Sequence, residues 1–227
     1  VKVYVMIGAP GAGKGTQADI LAGRLGLLHV ASGDLFRDAV RNGTQLGRDA
    51  KRYMDRGALV PDPVVIGMIE ERMEQPDAAA GVVLDGFPRT RAQAEALDAA
   101  LAARGARVDA ALYVGVPEDE LVRRLSSRWL CRAAGHVYNA VSHPPAVPGI
   151  CDIDGSELYQ RDDDRPETVR ARLAQQLPPM YDVIDYYTVS GVLVAVDGAQ
   201  SIEAVTEALL RAISGPGPTR PEGSSPA

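Results

Sequence analysis

Nine residues, Gly8-Ala9-Pro10-Gly11-Ala12-Gly13-Lys14-Gly15-Thr16, follow a short apolar run and precede a helical pattern. Glycines in that setting let successive backbone N–H groups turn inward around an anion. The start of a helix adds partial positive charge, and a lysine can reach terminal phosphates. The chemistry offered is phosphate binding. A plain glycine-rich strand-to-helix turn is the alternative. Six matching positions and the only lysine between Lys2 and Lys51 weigh against it. The general pattern wants Ser or Thr directly after the lysine as a Mg²⁺ ligand, but Gly15 stands there and Thr16 comes one residue later. An acid elsewhere must then serve the metal. Asp85, at the end of the apolar run Gly81–Asp85, is the natural candidate, because functional groups gather at the carboxyl ends of parallel strands.

These groups need a frame, and the pattern of the chain supplies one. Val1–Ile7, Leu27–Ala31, Gly81–Asp85, Ala110–Val116 and Gly191–Val196 are short apolar runs bounded by Gly, Pro or Asp. Helical patterns lie between them: apolar Ile20, Leu21 and Leu25 after the loop, Pro117-Glu-Asp-Glu120 opening one helix and Pro166-Glu167 another. Strands alternating with helices predict a parallel sheet covered on both faces. Two segments break the rhythm. Ser32–Val60 is helical and polar, and Arg128–Arg165 is rich in Gly, Pro, Asp and His. Both read as insertions standing off the sheet, and Ser214–Ala227 reads as a disordered tail.

The 227 residues carry 24 Lys and Arg against 30 Asp and Glu, a net charge of −6, with 46% hydrophobic residues. A chain of this size buries about 70% of its unfolded surface and needs no disulfide scaffold. The acidic balance argues against broad binding to nucleic acid or anionic membrane. Apolar stretches of six to eight residues fall far short of a bilayer span, and two cysteines are too few for a secreted disulfide framework. No leader precedes the first motif, so the expectation is a soluble, cytoplasmic protein.

Four motifs together carry a family resemblance: the loop at 8–16, Ser-Gly-Asp at 32–34, Leu-Asp-Gly-Phe-Pro-Arg-Thr at 84–90 and Val-Asp-Gly at 196–198. In this order and spacing the chain resembles the adenylate kinases, in particular the bacterial type with a long lid, over about residues 1–213. The resemblance implies an α/β fold: a P-loop kinase core from 1–31, 61–127 and 165–213, a helical AMP-binding insertion at 32–60 and a small lid at 128–164. It implies the reaction MgATP + AMP ⇌ MgADP + ADP, with Mg²⁺ as cofactor, ATP, AMP and ADP as the small-molecule partners, and a monomer. It also implies a cis peptide at Phe87-Pro88.

An enzyme of this kind holds two anionic substrates, so it needs cations from several directions. Arginine suits the task because its planar fork donates two parallel hydrogen bonds and stays charged. Of the 24 cations 21 are arginines, and most must be ordinary surface charges. By resemblance Arg37 and Arg89 grip the monophosphate, while Arg124 and Arg128, four apart on one helix face, point to the ATP side. Arg161 and Arg172 close over the transferring group. Together with Lys14 and Asp85 these are the expected catalytic residues, Arg37 serving binding. The resemblance places ATP against Gly11–Thr16, Arg128, Val137, Tyr138 and Gln200. It places AMP against Ser32, Arg37, Ala58, Leu59, Val60, Gly86, Phe87, Pro88, Arg89, Gln93, Arg161 and Arg172. Gln93 offers adenine one acceptor and one donor, and Ser32 could equally cap the helix that follows it.

Long-lid relatives often hold zinc with Cys-x-x-Cys twice, or with Asp as the last ligand. The matching positions here are Cys131, Ala134, Cys151 and Asp154. Alanine coordinates nothing, and His136 and His143, which could supply a fourth ligand, lie off the family's position. The sequence therefore favours a lid without structural zinc, its metal site incomplete at Cys131, Cys151 and Asp154. The competing functions are a UMP, CMP or GMP kinase and a nucleotide-binding sensor without turnover. A GTPase ranks below both, since no Asn-Lys-x-Asp occurs.

Overall fold

The computed structural model describes residues 1–54, 60–160 and 164–214. Its frame is a five-stranded sheet of β1 (Lys2–Ile7), β2 (Leu28–Ala31), β3 (Gly81–Asp85), β4 (Ala110–Gly115) and β8 (Leu193–Asp197), in the order β2-β3-β1-β4-β8. Every pairing in it is parallel. Consecutive residues are buried, Val3 to Ile7 on β1 and Val82, Val83 and Leu84 on β3. Side chains alternate between faces along a strand, so unbroken burial means that both faces are covered.

The helices that cover the sheet are α1 (Lys14–Leu25), α4 (Asp62–Met73), α5 (Arg91–Ala102), α6 (Glu118–Ser126), α7 (Pro166–Val189) and α8 (Ile202–Ser214). Helix α1 packs on α8, where buried Gln17 accepts from the Thr206 hydroxyl at 2.8 Å. Helix α5 packs on α4 and α7, tied by Tyr186 Oη donating to Asp98 Oδ2 at 2.9 Å. Helix α5 is capped by Thr90, whose hydroxyl accepts from the Gln93 N–H. Pro178 and Pro179 both lie inside the 24-residue helix α7. The segment from 32 carries α2 (Ser32–Arg41) and α3 (Gln45–Met54), packed on each other.

The segment from 128 adds β5 (Arg128–Cys131), β6 (Val137–Asn139) and β7 (Leu158–Tyr159), a separate antiparallel sheet in the order β6-β5-β7. It encloses its own small cluster of Cys131, Tyr138, Cys151 and Leu158. Ser214, expected to begin the tail, is the last residue of α8. The rest of the expected tail, 215–227, lies outside the described residues. Among the described residues no helix is long and apolar enough to cross a membrane.

Strand register decides where the functional loops gather. Met6 and Ala31 both align with Asp85, and Gly115 aligns with Asp197. The carboxyl ends of all five strands therefore form one edge, with the loop after β1 at its centre. Chain order reverses across β1, because β2 and β3 lie on one side and β4 on the other. A crevice forms at such a reversal.

The frame depends on packing of its central strands. Leu112 on β4 is fully buried, while Val189 at the end of α7 is 80% exposed. Leu112→Ala is expected to lower unfolding free energy by about 2–5 kcal/mol in urea titration. Val189→Ala is expected to stay within about 0.5 kcal/mol. Equal effects would mean that the sheet is not the stabilising core.

Candidate functional site

The loop after β1 is built on positive backbone angles. Gly11 has φ +84°, and a Cβ there would lie 2.9 Å from Leu125 Cγ, so both conformation and space demand glycine. Gly13, with φ +90°, caps α1. Lys14 folds back along the loop and donates from Nζ to Ala9 O at 3.0 Å. Its ammonium is withdrawn from water, and that burial pulls its pKa down to about 8. Asp85 opposes the shift, while Arg89, Arg172 and Arg128 reinforce it by repulsion. Three arginines expected at the site are thus within electrostatic reach of the lysine.

Asp85 faces the loop, and a Cβ on Gly15 would lie 3.4 Å from its Oδ2. The absence of a side chain at 15 leaves that carboxylate open to the cradle. The Arg89 pKa is lowered by burial, with Asp85 opposing and Arg172 and Arg37 adding repulsion. Arg89 Nε donates to Gly86 O at 2.7 Å, and the Ser32 hydroxyl donates to the same carbonyl at 2.8 Å. Ser32 is the first residue of α2 rather than its cap, so the capping role is not the one it plays. The Phe87-Pro88 peptide is cis, as the resemblance implied. Arg37 pairs with Asp34 at the rim.

Helix α6 ends at Ser126 and Arg128 begins β5, so Arg124 and Arg128 do not share the helix face expected of them; both oxygens of Asp164 hold Arg128, at 2.8 and 2.5 Å. Arg172 Nη1 lies 3.6 Å from Asp164 Oδ1. Asp164 is fully buried, so one carboxylate orients two arginines from different elements. Arg124 is placed differently. Its Nε donates to Glu120 Oε1 at 2.8 Å, and its charge is felt by Asp197. It lies toward the Asp197 end of the edge, where Gln200 Nε2 donates to Asp197 Oδ2 at 3.2 Å.

Gln93 is 2% exposed and already engaged. Its Oε1 accepts from Arg89 N at 2.8 Å and its Nε2 donates to Asp62 Oδ1 at 2.7 Å. One N–H and one lone pair of the amide remain for a ligand. Val60 is buried nearby in sequence, and Ala58, Leu59 and Arg161 lie outside the described residues. Val137 is exposed, but Tyr138 turns its ring into the cluster of the small sheet, where its hydroxyl accepts from Asp152 N at 2.8 Å. Any nucleotide contact at Tyr138 falls to its backbone. Cys131, Cys151 and Asp154 are brought together, and His136 joins them.

Three functional positions escaped the sequence reading. Asp164 ends a run of three aspartates that looks like solvated charge. Asp62 follows a proline at a helix start, the usual place of a capping carboxylate, yet it anchors Gln93 and accepts from the Thr90 hydroxyl at 3.1 Å. His29 on β2 has Nδ1 2.6 Å from Asp19 and a buried, unpartnered Nε2 3.9 Å from Asp85. A lone histidine in an apolar run carries no signal of such a neighbour.

A parallel α/β sheet with an anion-binding loop at its reversal, faced by converging cations from separate elements, defines a P-loop phosphotransferase. The chain matches the family model described as adenylate kinase over residues 6–192. It is 50% identical over 210 residues to an adenylate kinase of Streptomyces avermitilis, covering 92% of this chain and 96% of that one. It is 47% identical over 203 residues to an adenylate kinase of Staphylococcus aureus strain N315, covering 89% and 94%. A Staphylococcus epidermidis adenylate kinase is 46% identical over 202 residues, covering 89% and 94%. The chain belongs to the adenylate kinase family and is an enzyme of the phosphotransferase class.

The lowered pKa of Lys14 has a measurable sign. The folded protein holds this proton less tightly than the unfolded chain, whose value is 10.5. Between about pH 8 and 10.5 the unfolded state therefore binds more protons, and this group's contribution to stability rises with pH. Below pH 8 the charged lysine is a full destabilising load. Lys14→Met is expected to raise the melting temperature of the nucleotide-free protein at pH 7, and the advantage is expected to shrink from pH 8 to 10. A lower melting temperature at pH 7 would show that the ammonium is not a strained charge.

Proposed function

We propose that the chain catalyses MgATP + AMP ⇌ MgADP + ADP by direct in-line transfer, with Lys14, Arg89, Arg124, Arg128, Arg161, Arg172 and Asp85 as its catalytic residues. The observation that carries this reading is that Lys14 at the start of α1 lies within electrostatic reach of Arg89, Arg128 and Arg172, cations brought in by the loop after β3, by β5 and by α7. Like charges converge at a cost unless anionic ligands join them, and a triphosphate and a monophosphate supply such charge. The attacking AMP oxygen is already an anion, so no strong base is needed. Alignment and neutralisation of the equatorial oxygens supply the rate.

Gly11–Thr16 cradle the ATP phosphates through backbone N–H groups, while Lys14 leaves Ala9 O for the terminal phosphate. Arg128, Val137, Tyr138 backbone and Gln200 complete the ATP side, with Arg124 beside Asp197 near the base. AMP lies against Ser32, Arg37, Ala58, Leu59, Val60, Gly86, Phe87, Pro88, Arg89, Gln93, Arg161 and Arg172. The amide of Gln93, fixed by Asp62 and Arg89 N, presents its remaining donor and acceptor to adenine. The residues suit Mg²⁺: Asp85 faces the loop across Gly15, which leaves its carboxylate open. That ion would screen the β- and γ-phosphates as charge moves to the leaving oxygen. The insertions at 32–60 and 128–164 close over the substrates and exclude water, the competing nucleophile. The same reading takes the chain as a cytoplasmic monomer whose partners are nucleotides, with neither nucleic acid nor membrane among them, in keeping with its net charge of −6.

Phosphorus NMR of the chain with MgATP and each of AMP, CMP, UMP and GMP tests the reaction. ADP is expected to form rapidly with AMP alone, and Arg89→Ala is expected to cut the rate by roughly 10³-fold or more with circular dichroism unchanged. Transfer to another monophosphate would refute the role given to Gln93. No transfer to any of them would leave a nucleotide-binding module without turnover.

A further inference from the structure

Helix α4 opens on Pro61 and Asp62, where a carboxylate ordinarily serves the start of its own helix. Asp62 instead turns both oxygens toward the start of α5. Its Oδ1 accepts from Gln93 Nε2 at 2.7 Å, and its Oδ2 accepts from the Thr90 hydroxyl at 3.1 Å. The Thr90 oxygen accepts in turn from Gln93 N at 3.2 Å. Arg89 N closes the set by donating to Gln93 Oε1 at 2.8 Å. Gln93, only 2% exposed, is thereby held at its backbone and at both ends of its amide.

The chemical nature of these partners decides which way the amide points. A carboxylate only accepts and a backbone N–H only donates, so the amide nitrogen must face Asp62 and its oxygen must face Arg89. Turning the amide over would set N–H against N–H at Arg89 and oxygen against carboxylate at Asp62. The Thr90 hydroxyl cannot relieve that conflict. Its one proton is given to Asp62, while its oxygen takes the Gln93 N–H. A carboxamide is nearly symmetric in shape, and without such partners it presents either order of donor and acceptor.

With Gln93 taken as the adenine contact of the proposed AMP site, we propose that Asp62 sets base selectivity there by locking the Gln93 amide in the one orientation that suits adenine. Adenine sets an amino donor beside a ring-nitrogen acceptor. The locked amide has one lone pair and one N–H left to meet them in that order. Hypoxanthine has nearly the same outline, but a carbonyl and a ring N–H replace that pair, so donor and acceptor change places. Against the locked amide it meets lone pair with lone pair and proton with proton. A glutamine free to turn over would serve both bases. Discrimination therefore lies in the partners of Gln93 as much as in Gln93 itself. Asp62 is a positioning residue, since it acts through the amide and not on the base.

The test is the initial rate of MgATP consumption by the whole chain with AMP and, separately, with inosine monophosphate, the nucleotide of hypoxanthine. The wild type is expected to prefer AMP by roughly 10³-fold or more in kcat/KM, since a site built around hydrogen bonds strongly rejects a mismatched edge. In Asp62→Asn the carboxylate becomes an amide that both donates and accepts, so Gln93 gains its second orientation. Activity with AMP is expected to fall, activity with inosine monophosphate to rise, and the preference to shrink roughly tenfold or more. Damage to the fold would lower both activities together and leave their ratio in place. Asp62→Ala, which removes the restraint without offering another, is expected to shrink the preference as well. An unchanged ratio in both variants would overturn the lock. So would a wild type that uses inosine monophosphate within about tenfold of AMP, a comparison that holds even where a variant does not fold. A wild type that transfers to neither nucleotide would overturn the AMP site itself, and the lock with it.

Discussion

Keeping like charges together before any phosphate arrives is the constraint that shapes this protein. Two unit charges 4 Å apart repel by about 4 kcal/mol at an effective dielectric of 20. Lys14 feels Arg89, Arg128 and Arg172, and Arg89 feels Arg172 and Arg37. Two acids and two backbone carbonyls hold the set. Asp85 attracts Lys14 and Arg89, Asp164 grips Arg128 and lies near Arg172, and the carbonyls of Ala9 and Gly86 accept from Lys14 and Arg89. These partners are oriented groups that do not leave with the substrate. The cations therefore wait in place, and anionic ligands relieve a repulsion already present.

Such preorganisation needs rigid attachment, and the parallel sheet provides it. Asp85 aligns with Met6 on one side and Ala31 on the other, so the acid, the loop and the start of α2 are fixed by backbone ladders. Arg172 lies in the first third of α7, whose buried Val169, Leu173, Val183 and Tyr187 anchor the helix in the core along most of its length. A displacement of about 1 Å can cost 10²-fold in a reaction that works by alignment. Anchoring the cations on elements with deep apolar faces guards against that loss.

The sheet and the anion loop were legible because their signals are local. Apolar runs and glycines announce a strand and a turn in a few adjacent residues, and β3 falls on the expected Gly81–Asp85. What escaped is set by partners distant in sequence. Asp164 looks like one charge in an acidic run, and only the return of α7 toward β5 buries it between two arginines. Asp62 and Gln93 are 31 residues apart, and nothing in either segment signals their bond. The strands of the small sheet are two to four residues long in a segment rich in glycine and proline, too short for an alternating pattern to register. His136 was visible as a donor but not as a neighbour of Cys151, because spacing along the chain says little about a ligand that a turn brings round.

The small sheet joins these themes. Strand β5 begins at Arg128, which enters the charge cluster, and ends at Cys131, which enters the buried cluster of the small sheet. At about 3.4 Å per residue, the two ends are roughly 10 Å apart along one stiff segment. Whatever fixes Cys131 therefore fixes the direction from which Arg128 enters the charge cluster. A loosely held strand would deliver the guanidinium over a spread of positions, and its charge would then be worth less in the cluster around Lys14. Asp164 corrects the aim from the other side, since it grips the same guanidinium with two hydrogen bonds. The arginine is thus fixed once through its strand and once through its head. A charge carried on a small sheet that stands apart from the main one keeps its position only under that double constraint.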